Sequence, residues 1–433
     1  MRSPSLRRHL PAALLVLLAA APRSLRAQDS TSRGVRIGLT YDPGSRPGVA
    51  VLPVTGAGGD SIRAIVQRDF DFGDRVNPIV LDASAASDAS RATGPNWPLL
   101  ARLGAAAAVQ ITPTADGFHL AVYNVATKQT ALIRDYTTAA AAQSRAWRAV
   151  LHGIADDLEE SFTGVRGIAR TRILFERGKR IWVVDSDGEG ATPVTDAGTP
   201  ISPSWHPSGR TITYSTILPA GISVLDLATG RARTLVSGSG VFISPVFSPD
   251  GTNVVYAHGV DTGVDLYTIP LSGGAARRLS VGRGSDNVSP SFSPDGRRIV
   301  FMSGRAGHPE IYTMDADGTN VDLLTPLDIG ENAYRASPDW SPDGRLVAFQ
   351  SQIGGTFQVL TINLRDRGLR QLTSDGRNED PSWAPDGRHL TFVSNRSGVR
   401  QLWVLDIETG RSRQLTRGAP VRVPAWSPRL AAE

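Results

Sequence analysis

The C-terminal part of the chain, from about residue 170 to residue 429, repeats one pattern of hydrophobic and polar positions. Each unit has a short strand with one aromatic residue, a Ser-Pro-Asp-Gly-like turn, and two apolar strands such as 298–302 and 310–314. Such a turn places proline, aspartate and glycine at the positions that a type I turn favours. The aromatic residues recur at intervals of about 42 to 48 residues, at Trp205, Phe247, Phe292, Trp340, Trp383 and Trp426. This period is typical of a four-stranded β-propeller blade.

The two ends of the repeat array are complementary fragments of one unit. Residues 171–198 contain the middle strands and a turn but lack a preceding aromatic strand, whereas residues 423–428 supply an aromatic strand with nothing after it. Five whole units and one split unit predict six blades, with the C-terminal strand pairing with the first propeller strands. Closure of this kind removes exposed sheet edges. The recurring aromatic residues are then expected in the core between blades rather than in a ligand-stacking ring.

Residues 28–165 have no repeat and a different pattern. Apolar runs at 49–52 and 107–111 indicate strands, and residues 118–123 alternate polar and apolar side chains. From about Ala140 to Phe162, apolar residues recur at three- and four-residue steps, which predicts an amphipathic helix that Gly164 ends. We therefore expect an N-terminal α/β domain at 28–165 and an all-β, six-bladed propeller at 170–429, joined by a short linker.

The first 27 residues have the features of a cleaved signal peptide: basic residues, an apolar run over 11–21, and small residues leading to Ala27. Cleavage after Ala21 is the alternative. This segment carries five arginines and no acidic residue, so the rest of the chain has 41 basic and 41 acidic side chains. Nucleic-acid binding, which needs a basic surplus, is not expected. No other stretch approaches the length of a membrane span, and without cysteine the fold depends on packing.

Candidate metal and cofactor sites are weak in this sequence, and none is expected. Asp185, Asp187, Glu189, Gly190 and Asp196 imitate the spacing of a calcium-binding loop, but a hairpin turn is the better interpretation because residues 315–318 repeat the turn without the later ligands. The seven histidines form no close pair and no metal-ligand motif.

The chain resembles the TolB family of the Tol-Pal system in the Gram-negative envelope. The resemblance rests on the repeat units, on the first strands and helix at 35–37, 46–53 and 65–79, on the junction 152–175, and on the C-terminal sequence 424–428. It covers nearly the whole chain beyond the leader. It implies a periplasmic adaptor without catalytic activity, monomeric, that supports outer-membrane integrity and cell division.

The resemblance also implies two partners. In the family, the extreme N-terminal segment engages the inner-membrane protein TolA, which corresponds here to about residues 28–39, with Val35, Arg36 and Ile37 matching best. The mouth of the propeller receives the lipoprotein Pal. In this chain the candidate Pal-facing residues precede the aromatic strands, and they are Asp286, Asn287, Tyr334, Arg335, Asn378, Glu379 and Arg422.

Two other functions remain open from the sequence. A propeller of this kind could be a generic periplasmic binding module for peptidoglycan or carbohydrate, because a fold does not determine a function. A relation to serine peptidases of the prolyl oligopeptidase type is less favoured, because the chain has no Gly-x-Ser-x-Gly motif for the nucleophile.

Overall fold

The computed structural model describes residues 37–39, 45–56, 58–91, 94–260, 263–281, 285–326 and 334–431. The predicted leader lies outside these ranges. The N-terminal region contains β1 (Gly48–Val51), α1 (Gly59–Gly73), β2 (Asn77–Ile79), α2 (Ala83–Ala89), β3 (Ser90–Arg91), β4 (Gly94–Pro95), α3 (Trp97–Arg102), β5 (Ala107–Thr114), β6 (Gly117–Asn124), β7 (Gln129–Thr137) and α4 (Arg145–Thr163).

The N-terminal region is an α/β unit built on a five-stranded sheet in the order β2-β1-β5-β6-β7. Helices α1 and α4 contact each other and share one apolar core with this sheet. Helix α4 begins five residues later than the apolar spacing predicts, because Ser144 caps it by accepting a hydrogen bond from the backbone N–H of Trp147 at 3.2 Å. Gly164 ends the helix in the left-handed conformation, as predicted.

The C-terminal region is a six-bladed propeller, as the repeat predicts. We number the blades in chain order and call the first strand of each sheet, which lies nearest the central axis, its inner strand. Blade 1 has β8 (Arg172–Arg177), β9 (Arg180–Asp185) and β10 (Thr192–Pro193); blade 2 has β11 (Pro200–Trp205), β12 (Thr211–Ile217), β13 (Ala220–Asp226) and β14 (Ala232–Ser237); blade 3 has β15 (Val241–Phe247), β16 (Asn253–Val260), β17 (Gly263–Pro270) and β18 (Arg277–Arg278).

The remaining blades have the same order of strands. Blade 4 has β19 (Asn287–Phe292), β20 (Arg298–Ser303), β21 (Glu310–Asp315) and β22 (Asp322–Leu323); blade 5 has β23 (Arg335–Trp340), β24 (Leu346–Ile353), β25 (Thr356–Asn363) and β26 (Leu369–Gln371); blade 6 has β27 (Asn378–Trp383), β28 (His389–Ser394), β29 (Gln401–Asp406) and β30 (Ser412–Gln414). The inner strand of blade 1 is β31 (Arg422–Trp426), which pairs antiparallel with β8.

The repeated aromatic residues pack in the apolar clusters between blades, which confirms their predicted structural role. Five of them are buried and Phe292 is partly buried. The predicted turns are also found: in blade 4, the backbone N–H of Gly296 donates to the carbonyl of Ser293 at 2.9 Å. Asp295 stabilises the same turn, because its carboxylate accepts a hydrogen bond from the Ser293 hydroxyl at 2.6 Å.

The proline that precedes the aromatic residue in each unit lies in a β-bulge, which the sequence analysis did not identify. In every inner strand the register shifts at this point, because the proline has no N–H with which to continue the ladder. The residue before it adopts a left-handed conformation, with φ between 46° and 53°, at Ser202, Ser244, Ser289, Ser337, Asp380 and Val423. The bulges turn the six prolines toward the central axis.

Candidate partner-binding site

The two ends of the propeller's central channel are formed by different loops. We call the end where the inner strands begin, near Asp286 and Arg422, the loop mouth, and the end with the Pro-Asp-Gly turns the turn mouth. The N-terminal region packs on the turn mouth over blades 1 and 6, where Arg75 contacts Asp386 and Arg148 contacts Asp187. Within the described part of the chain, the N-terminal region contacts the propeller at the turn mouth and not at the loop mouth.

A channel of about 470 Å³ runs between the inner strands. Twelve of the residues that line it are prolines of the bulges and of the turns, and they are Pro203, Pro245, Pro290, Pro338, Pro381, Pro424, Pro207, Pro249, Pro294, Pro342, Pro385 and Pro428. Because proline offers no backbone N–H, the hydrogen-bond donors of the wall belong to its other residues, among them eight serines. Asp339 is the one acidic residue among those that line this channel.

The sequence-predicted Pal-facing residues all lie at the loop mouth, but they divide into exposed and buried side chains. Asp286, Tyr334 and Arg422 are exposed. Glu379 is largely covered, with 13% of its side chain accessible. The other three are buried, and they are Asn287, Arg335 and Asn378. The exposed side chains can contact a partner directly. The buried side chains can affect the loop mouth only by positioning the residues to which they are hydrogen-bonded.

Each of the three buried residues joins its inner strand to the preceding blade. The pairs are Asn287 with Asp265, Arg335 with Glu310, and Asn378 with Gln358, at donor–acceptor distances of 3.0, 2.9 and 2.8 Å. The acceptors occupy equivalent positions near or at the start of the third strand. The sequence analysis missed this set, although a polar residue just before the apolar third strand recurs in the repeat and could have revealed it. These bonds stabilise neighbouring blades against each other at the mouth.

Arginines stacked on aromatic rings extend this network at the loop mouth. The guanidinium of Arg305 lies 4.9 Å from the ring centre of Tyr312, and that of Arg396 lies 4.8 Å from Trp403. Both arginines also donate at 2.9 Å to the side-chain oxygen of the inner-strand asparagine, Asn287 or Asn378. Stacking and hydrogen bonding together fix these side chains in place.

The predicted TolA-facing segment is only partly described. Val35 and Arg36 lie outside the described residues. Ile37 is 7% exposed and packs in the apolar core of the N-terminal region, and its backbone N–H donates to the carbonyl of Ser161 at 3.0 Å. The structure therefore makes Ile37 an anchor at the start of the domain, and a TolA contact by this segment stays a prediction.

Buried histidine–carboxylate pairs lie on both sides of the junction between the N-terminal region and the turn mouth. His152 lies 2.8 Å from Asp69, and His389 lies 2.8 Å from Asp386, measured from each Nδ1 to a carboxylate oxygen. All four side chains are at most 3% exposed. Burial disfavours the charged form of His389, but its hydrogen bonds to Asp386 and Asp74 outweigh burial and raise its pKa above the ordinary value.

Two clusters at this junction have the residue types of a metal site, namely Asp69, His152 and Asp187, and Asp74, His389 and Asp406. In each cluster a carboxylate is already paired with an arginine. Arg148 donates to Asp187 at 2.6 Å, and Arg388 donates to Asp406 at 2.9 Å. The two clusters therefore fit an ion-pair network rather than a cation site. Asp187 and Asp185 of the calcium-like sequence contact arginines in the same way.

The family model of the TolB beta propeller domain matches residues 159–430, which is more than half of the chain. The chain belongs to the TolB family. The resemblance predicted from the repeat units and the junction sequence is thereby confirmed.

Individual TolB proteins are similar to this chain over shorter stretches. The Tol-Pal system protein TolB of Polaromonas sp. is 32% identical over 39% of this chain and 41% of its own length, and that of Polaromonas naphthalenivorans is 31% identical over 46% of each. The matched part thus spans less than half the length of these relatives. The crystal structure of TolB from Acinetobacter baumannii superposes with a TM-score of 0.76 at 23% identity, covering 91% of this chain and 100% of that chain. This likeness shows the shared fold.

Proposed function

We propose that this protein is a non-catalytic, periplasmic adaptor of the Tol-Pal system that binds a Pal-like lipoprotein at the loop mouth and a TolA-like inner-membrane protein through its N-terminal segment. In this role it supports outer-membrane integrity and cell division. Membership of the TolB family supports the proposal. Among the described residues, no helix combines the length and apolar character that crossing a membrane requires.

The observation that carries the proposal is a concentration of exposed apolar side chains at the loop mouth. Among the described residues, eight of the fourteen exposed large hydrophobic side chains lie there: Ile217, Leu218, Val241, Val260, Val281, Tyr334, Ile353 and Val399. Exposed apolar side chains concentrated at one end of a domain and accompanied by polar residues are typical of a protein-binding site. Asp286, Glu379 and Arg422 lie on the same mouth and would form its polar rim.

The binding of the lipoprotein tests the proposal at this mouth. We expect the detergent-solubilised Pal-like lipoprotein of the same organism to bind the chain, and Leu218→Asp, which places a charge at a side chain 80% exposed, to weaken that binding at least tenfold. Val80→Asp is the matched control, because Val80 is 76% exposed and belongs to the N-terminal region. Retention on peptidoglycan without capture of the lipoprotein would favour the generic binding module instead.

The second partner requires a separate deletion. Removal of residues 28–36 should abolish binding of the TolA-like protein and leave the lipoprotein bound. The deletion stops before Ile37, because that side chain belongs to the core. Equal loss of both partners would contradict the proposed division between the N-terminal segment and the loop mouth.

A further inference from the structure

The loop mouth carries a basic surface over blades 6 and 1, which we call the basic lip. It consists of Lys179, Arg377, Arg400, Arg417 and Arg422. Hydrogen bonds hold its segments beside one another: the backbone N–H of Val421, beside Arg422, donates to the carbonyl of Arg400 at 3.0 Å, and Arg177, two residues before Lys179, donates to the carbonyl of Arg417 at 3.3 Å.

The carboxylates of the basic lip lie beneath its cations. Glu379 accepts from Arg377 at 2.7 Å and approaches Arg400 at 2.9 Å, while only 13% of its side chain is exposed. Glu176, with 8% exposed, lies 3.4 Å from Arg422, whose side chain is 62% exposed. Water and any partner therefore meet the guanidinium groups first. Each of these ion pairs therefore has its positive end toward solvent.

Two cations of the basic lip extend farther into solvent. Lys179 lies at the tip of the β8–β9 hairpin and Arg417 on the loop that leads to β31, and both are exposed. The loop mouth of these two blades also has two exposed carboxylates, Asp196 and Asp375, and two further arginines, Arg180 and Arg396, which equal them in number. Because the chain beyond residue 27 has equal numbers of basic and acidic side chains, this basic surplus is local.

The apolar side chains of the loop mouth are concentrated elsewhere on its rim. The most exposed of them belong to blades 2 and 3 and to the loop after blade 3, namely Ile217, Leu218, Val241, Val260 and Val281. The rim therefore offers an aliphatic part and a basic part to one occupant. An occupant that covers both must place apolar surface on the first and negative charge on the second, since like charges would repel it.

We infer that the partner at the loop mouth binds the basic lip with an acidic surface, which orients the partner and accelerates its association. This inference rests on the proposed function, because the lipoprotein is the occupant to which it commits. Attraction between opposite charges acts mainly on the association rate constant and weakens with salt, whereas contact with the aliphatic part acts mainly on dissociation.

The test is the charge reversal Lys179→Glu/Arg417→Glu in the full chain. Neither residue is buried, so the fold should persist, which thermal unfolding checks. Binding of the detergent-solubilised lipoprotein is measured at 50 and 300 mM NaCl. The association rate constant of the unaltered chain should fall about tenfold or more with this rise in salt. The reversed variant should associate at least tenfold more slowly at 50 mM and respond little to salt.

A matched control has the same change of charge at the turn mouth. Arg297→Glu/Arg345→Glu alters two arginines that are 86% and 82% exposed, and its association should stay within twofold of the unaltered chain. The neutral variant Lys179→Gln/Arg417→Gln should be intermediate. If the lipoprotein binds but salt and both lip variants leave association unchanged, the basic lip has no such role, although the proposed function stands. If the unaltered chain does not bind the lipoprotein at either salt concentration, the proposed function fails, and this inference with it.

Discussion

Trp426 pairs with Ile173 across antiparallel strands, and its indole N–H donates a hydrogen bond to the hydroxyl of Thr171 at 2.8 Å. The last strand of the chain thereby completes blade 1, whose other strands come first in the propeller. The indole also packs in the apolar cluster between blades 6 and 1. This side chain therefore joins the first and last strands of the propeller both by apolar packing and by a hydrogen bond.

Replacement of this tryptophan should destabilise the propeller strongly. Trp426→Ala removes a buried aromatic side chain, which costs about 3–5 kcal/mol. Trp426→Phe keeps most of the packing and loses the hydrogen bond to Thr171, for a cost nearer 1–2 kcal/mol. Urea unfolding followed by fluorescence and circular dichroism measures both. A loss below 1 kcal/mol for Trp426→Ala would show that the blade does not depend on this contact.

The carboxyl of Asp339 on the channel wall should make stability depend on pH. Burial raises its pKa to about 6, although hydrogen bonds from Trp383 and Ser291 oppose the rise. An acid with a raised pKa in the folded state binds more protons there than when unfolded, so its contribution falls as the pH rises from about 4 to above 6. Asp339→Asn should therefore gain roughly 1–2 kcal/mol relative to the unaltered chain between pH 5 and pH 8.

The matched control for Asp339 is Asp375→Asn, since Asp375 is exposed. Its free energy of unfolding should follow that of the unaltered chain at every pH. A constant difference between Asp339→Asn and the unaltered chain across this range would mean that Asp339 does not titrate there.

Protonation of His389 should hold the N-terminal region on the turn mouth. Its folded-state pKa is raised, so the stabilisation is complete below about pH 6.5, the unfolded value, and is lost as the pH rises through the folded value. The groups that face His389 are Asp386 and Asp74, which raise its pKa, and Arg413, whose positive charge lowers it. His389→Gln should lower stability most at pH 6, and the difference from the unaltered chain should shrink toward pH 9.

An exposed histidine serves as the comparison for His389. His119 has 43% of its side chain accessible and contacts an exposed carboxylate. His119→Gln should have little effect at either pH. A pH-independent loss in His389→Gln would indicate that the histidine contributes packing alone.

The ion pair of Arg75 with Asp386 should contribute to docking of the N-terminal region. It measures 3.0 Å, with 13% and 0% of the two side chains exposed. Arg75→Met removes one partner of a largely buried pair, which costs about 3 kcal/mol or more. Because the arginine connects the two regions, limited proteolysis should cut faster between Gly164 and Thr171. Arg345→Met, at an arginine 82% exposed, should not change the cleavage rate.

The repeat units were enough to predict the propeller, its six blades and the place of the aromatic residues, because each unit is a local pattern of strand and turn that specifies its own fold. The α/β character of the N-terminal region followed from local periodicity in the same way. Residue types near the aromatic strands also located the loop mouth. They did not show which of these side chains are exposed, and Asn287 and Asn378 are among the buried ones.

The tertiary structure alone decided the contacts between distant segments. Arg75 and Asp386, or Arg335 and Glu310, meet only when separate strands and domains are packed, and no spacing rule connects them. The bulge before the aromatic residue of each unit likewise depends on the neighbouring strand. The basic lip was hidden because the balanced charge of the chain beyond the leader conceals a local surplus. A sequence determines what each segment can form by itself, whereas charge and burial at a surface depend on which segments the fold brings together.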